Sequence, residues 1–194
     1  MYSILHRLAR GMAWLGGAML LILIVMTCVS ILGRSLNGML HGDAVTSIAP
    51  GLARWLLDLG IGPIQGDFEL VEAGVAVAIF SFLPYCTLTG GHASVDIFTA
   101  KLPPRANRIL QMCIDTLFAA VLVLIAVQLG AGTLSKMNSG QLSFLLQFPI
   151  WWGYAACLPG AWLAAVVGIY LAAMRMAETA AGRAILPPLR GSER

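Results

Sequence analysis

Four stretches dominated by apolar side chains constrain this chain more than any other feature of it. They run approximately over residues 12–32, 70–89, 109–130 and 150–174. About 20 such residues, wound as an α-helix, cover the roughly 30 Å hydrocarbon layer of a bilayer. In that layer every backbone N–H and C=O must be satisfied inside the segment, which selects helices. Composition agrees: 59% of the 194 residues are hydrophobic and 11% are charged, against about 25% charged in soluble domains. So little charge cannot coat a water-facing globule, and lipid must be the solvent for much of the surface. The predicted fold is an all-α integral membrane protein, with four transmembrane helices in a single domain over residues 1–194. Pro84, Pro159 and Gly160 fall inside spans, where neighbouring helices re-satisfy the freed backbone groups.

Cation placement predicts orientation. Arg7, Arg10, Lys101, Arg105, Arg108, Arg175, Arg183, Arg190 and Arg194 lie on one side of the four-span frame, leaving Arg34, Arg54 and Lys136 for the other. Both termini are therefore expected in the cytoplasm. The first apolar stretch is about twice the length of a signal-peptide core and lacks a small-x-small cleavage site, so it reads as a retained anchor. In the outer connection (33–69), Ile48, Leu52, Trp55, Leu56 and Leu59 recur at helical spacing. They predict an interfacial helix, either a surface or partner-contacting arm or a simple closure of the loop. The inner connection, with Val95, Ile97, Phe98 and Leu102, also reads as interfacial. Phe144, Leu145, Leu146 and Phe148 suggest a re-entrant or surface-lying turn.

Several functional classes find no support. Cys28, Cys86, Cys113 and Cys157 are widely spaced, with no C-x-x-C pair, and read as small packed hydrophobes. His6, His41 and His92 lie in terminal or loop segments, unsuited to intramembrane haem ligation. No phosphate-binding, nucleophile-elbow or zinc-protease motif occurs, and no basic run with interleaved aromatics indicates nucleic acid. No cofactor, metal or catalytic residue is predicted.

The remaining polar residues are candidates for assembly. Glu69 and Glu72 open the second span and Arg34 closes the first at the same boundary, which predicts an ion pair from Arg34 to Glu69 or Glu72. Asp115 lies about two turns inside the third span, with Gln111 one turn earlier on the same face. It reads as a clamp to a neighbouring helix, a carboxylate reaching the interface, or a group in ion passage. Ala156, Gly160, Ala164, Gly168 and Ala172 recur every four residues along the fourth span. Such a small-residue face lets helix backbones approach closely, within the bundle or against a partner. Gly90-Gly91 before His92 reads as a helix C-cap.

Taken in order, these features resemble the small membrane subunit of tripartite ATP-independent periplasmic (TRAP) transporters, the DctQ-like family. The resemblance rests on Arg34 at the end of span one and Glu69 and Glu72 at the start of span two. Gly91, His92, Val95 and Asp96 follow, leading to Leu102-Pro103, with Pro149-Ile150-Trp151 and Pro159-Gly160 around span four. It covers most of the chain and departs over residues 36–66, which look like an insertion. The resemblance implies a location in the bacterial inner membrane and two partners: a large DctM-like membrane subunit and a DctP-like periplasmic solute-binding protein. It also implies ion-driven uptake of organic acids, with the small subunit as a scaffold. On that footing Arg34, Glu69, Glu72, His92 and Asp96 are the first residues to test for assembly or docking. The competing reading is a stand-alone four-span channel or exporter that oligomerises through span four.

Overall fold

The computed structural model describes residues 2–42, 51, 62, 64–91 and 104–181. The described elements are four helices: α1 (Tyr2–Leu40), α2 (Asp67–Thr89), α3 (Pro104–Ser139) and α4 (Trp151–Ala181). Each is long and apolar enough to cross a membrane. Ile48, Leu52, Trp55, Leu56 and Leu59, which define the expected amphipathic stretch, and the inner connection around His92 and Asp96 lie outside the described residues.

The helices overrun the predicted spans, for a simple reason. Hydropathy marks where lipid is, whereas a helix ends only where its backbone is interrupted. Residues 33–40 contain no proline, and Arg34, Ser35 and Asn37 do not stop a helix, so α1 continues to Leu40. The long connection therefore starts after Leu40, and residues 36–40 belong to α1. α3 begins on Pro104, where proline's missing N–H costs no helical hydrogen bond. α2 ends as predicted: Gly90 takes the left-handed conformation (φ 66°), and the Gly91 N–H donates to the Cys86 carbonyl at 2.9 Å.

The helices pack as a row in the order α1, α2, α4, α3. α4 lies along both α2 and α3, and α2 also lies along α1. α1 reaches α4 where Leu5 and Ala9 meet Leu88 of α2 and Val167 of α4, beside Tyr85 and Tyr170. The main core joins Leu122 and Ala126 of α3 to Ala161, Ala164 and Ala165 of α4, with Phe80 and Leu83 of α2 packed against them. Large side chains such as Trp14, Leu21, Ile22 and Val25 of α1 remain exposed. In lipid this costs nothing, because acyl chains are as apolar as leucine.

The small face of α4 determines how closely the row packs. Gly160 lies so near α2 that a Cβ there would collide with the Phe80 carbonyl, and one at Gly168 would come within 3.3 Å of the Ala119 Cα on α3. Ala164, between them on the same face, is fully buried. The stripe is thus occupied inside the row, one glycine against each neighbour.

Gly160→Ala is therefore expected to destabilise the protein by about 1–3 kcal/mol through overpacking. Gly130→Ala, whose new Cβ has nothing closer than Leu158 at 4.0 Å, should be neutral or stabilising. Reversible unfolding in micelles gives the comparison.

Candidate functional site

Two groups stand out among the hydrogen-bonded polar side chains of the described helices. Single hydroxyls bond back to their own helix four residues earlier, as Ser81 does to Val77 O, Thr116 to Met112 O and Thr133 to Leu129 O. This satisfies the hydroxyl without reaching another element. The second group links elements and forms two clusters, one at each end of the row.

At the end where α2 starts, Asp67 joins α1 to α2. Its Oδ2 accepts the Ser30 hydroxyl at 2.6 Å, and Arg34 Nη2 lies 3.5 Å from the same oxygen. Ser30 and Arg34 are one turn apart on α1 and so share a face. Ser30 is fully buried, whereas the Arg34 side chain is 66% exposed, so the hydroxyl bond is the tighter of the two contacts. The Arg34 pair forms, then, but with Asp67 rather than Glu69 or Glu72. Glu72 faces outward as an exposed residue.

Glu69 has a different task. The chain between α3 and α4 folds into a small hairpin, with the Ser143 N–H donating to Phe148 O at 2.9 Å and the Ile150 N–H to Gln141 O at 3.1 Å. Gln147 at the turn takes a positive φ of 52°. The buried carboxylate of Glu69 accepts the N–H of Leu145 at 2.8 Å, the N–H of Leu146 at 3.0 Å and the Ser143 hydroxyl at 2.8 Å. These donors have no partner in the hairpin's own ladder, and an anionic acceptor makes the bonds strong. Leu146 also packs directly on Gly66, whose φ of 75° and bare Cα leave room for it. The carboxylate sits in the first turn of α2, where the helix dipole favours negative charge.

At the opposite end, Arg175 of α4 bridges two carboxylates. Its Nε lies 3.1 Å from Asp115 Oδ2 on α3, and its Nη1 lies 2.9 Å from Glu178 Oε2 on its own helix. Glu178 is buried and the other two are partly so. Asp115 thus pairs with a cation on a neighbouring helix. Arg175, which the sequence offered only as an orienting cation, supplies the other half.

The sequence of residues 44–179, more than half of the chain, matches the model of the family described as "Tripartite ATP-independent periplasmic transporters, DctQ component". The chain belongs to the DctQ family. Searches of curated proteins and of solved structures returned no match. The DctQ match begins beyond α1 and includes residues 44–66, the larger part of the stretch that resembled an insertion. It defines a component of a transporter, and the four apolar helices make that component a multi-pass membrane protein.

Of the residues singled out from sequence, the structure engages Arg34, Glu69, Gly91, Asp115, Gly160, Ala164 and Gly168 in contacts between elements or in a helix cap. It leaves Glu72 exposed, while His92 and Asp96 lie outside the described residues. Sequence reasoning missed Ser30, Asp67, Ser143 and Glu178. Asp67 had a readable signal, an acid in the first turn of α2 beside Glu69, and Glu178 stands three residues after Arg175, a helix-pair spacing. Ser30 and Ser143 had none, since their partners lie 37 and 74 residues away.

Breaking the more buried cluster should cost more. Arg175→Ala, which strands two carboxylates, is expected to lower stability by about 3 kcal/mol. Arg34→Ala should cost less than about 1 kcal/mol. Steric-trap unfolding of the two variants in bilayers checks the ranking.

Proposed function

We propose that this chain is the scaffolding small subunit of a TRAP-type secondary transporter in a bacterial inner membrane, with both termini cytoplasmic. In this reading a DctP-like binding protein delivers an organic acid and a DctM-like large subunit carries it across, driven by an ion gradient. The small subunit braces that movement and performs no chemistry. Membership of the DctQ family is the observation that carries the reading.

The packing supports it in physical terms. The linking polar groups tie helix to helix or hairpin to helix: Asp67 to α1, Glu69 to the hairpin, Arg175 to α3. The hydroxyls of Ser81, Thr116 and Thr133 are turned onto their own helices. Side chains used in this way hold the row together and do not line a path for cargo. The competing channel reading needs the small face of α4 free for oligomerisation, yet Gly160, Ala164 and Gly168 are buried against α2 and α3.

Reconstitution tests the division of labour. Vesicles holding this chain alone should show no organic-acid uptake under an ion gradient. Adding the large subunit and a loaded binding protein should start uptake, and leaving out this chain should abolish it. Uptake by the chain alone would refute the scaffold reading.

A further inference from the structure

The hairpin at residues 141–150 has features that the scaffold reading does not use. Its tip exposes a run of apolar side chains: Phe144 is 89% exposed, and Leu142, Leu145 and Leu146 are exposed beside it. In water such a run would be a liability. Its depth in the membrane follows from α2. With 23 residues, α2 rises about 35 Å at 1.5 Å per residue, little more than the roughly 30 Å hydrocarbon layer. The two ends of α2 must then lie at the two membrane boundaries. Glu69 sits in its first turn and holds the hairpin tip by the Leu145 and Leu146 N–H groups and the Ser143 hydroxyl. Those bonds fix the tip within about one helical turn of the boundary.

Two further observations bear on what meets the tip there. The hairpin runs directly into Trp151 and Trp152, whose rings pack edge-to-face with centroids 6.3 Å apart, and tryptophan collects at headgroup level. Residues 141–150 carry no ionisable side chain, so entry into a less polar layer requires no charge to be desolvated. The backbone is prepared as well. The cross-hairpin bonds of Ser143 and Ile150 use part of its polar groups, and Glu69 takes two further N–H groups at the turn, those of Leu145 and Leu146.

We propose that the 141–150 hairpin is a membrane-interface anchor, in which Phe144, Leu145 and Leu146 sit among phospholipid headgroups and upper acyl chains at a depth set by Glu69. The occupant is the lipid surface. The inference rests on the membrane-spanning fold and on the Glu69 contacts, and it stands whether or not the proposed partners are correct.

Photo-crosslinking from position 144 tests it. The full chain, with Phe144 replaced by p-benzoylphenylalanine, is illuminated in phosphatidylethanolamine–phosphatidylglycerol vesicles and in membranes of the cells that make it with its partner subunits. Phospholipid adducts, identified by mass, are expected in both, with none from the same probe at Asn138 in the last turn of α3. Combining the probe with Glu69→Ala should lower the lipid yield several-fold, and Glu69→Gln, which keeps the side-chain shape, should lower it less. A protein adduct in the cell membranes would make the hairpin a subunit-docking surface and overturn the proposal. Absence of any adduct would place the tip in water and overturn it too. An unchanged yield in both Glu69 variants would overturn the role given to Glu69.

Discussion

The close approach of α4 to its two neighbours is the contact on which the row depends. α4 lies along both α2 and α3, and it does so through Gly160 and Gly168, where a Cβ would strike the Phe80 carbonyl or crowd Ala119. In lipid no hydrophobic drive pushes helices together, so contact area and backbone proximity must supply the association. Ala161, Ala164 and Ala165 extend the same logic through the buried seam. α1 is attached mainly through α2, so displacing α4 would divide the row into α1–α2 and α3.

Packing of this kind fixes separation, whereas the polar clusters fix register. Asp67 on Ser30 pins α1 against α2 at one end, and Arg175 on Asp115 pins α4 against α3 at the other. Each is a directional contact between helices whose apolar surfaces alone would tolerate sliding by a turn. Glu69 adds a third link by holding the α3–α4 hairpin onto α2. Polar groups at the boundaries are cheaper to keep than at the bilayer centre, where a lone charge costs several kcal/mol, and all three links involve residues near helix ends. The result joins every adjacent pair in the row by apolar packing and two of the three by a charged contact as well.

Much of this was legible in the sequence, and the boundary of legibility has a physical cause. Lipid imposes a strong, local rule on composition, so the four spans are visible as apolar runs. The αL cap at Gly90 and the small face of α4 are equally local, set by residue type and a four-residue spacing. Partner choice was not legible. Arg34 reaches Asp67 rather than Glu69 or Glu72, because the facing of α1 and α2 decides which of three nearby acids lies opposite it. Glu69 was singled out for charge, yet its partners are backbone N–H groups of a distant hairpin, which no side-chain pattern encodes. The helix ends were not legible either, since hydropathy reports the lipid boundary and α1 runs on as far as Leu40.

Together these links tie the four described helices to one another, as the proposed brace requires. The most direct test is a distance across the whole row in the assembled transporter. Spin labels at Leu36 of α1 and Met137 of α3, both exposed, report the separation of the two edge helices. A rigid brace predicts one distance distribution, unchanged between substrate-free and substrate-loaded transporter. A shift of several ångströms on loading would show that this chain itself moves during transport, and would contradict the account.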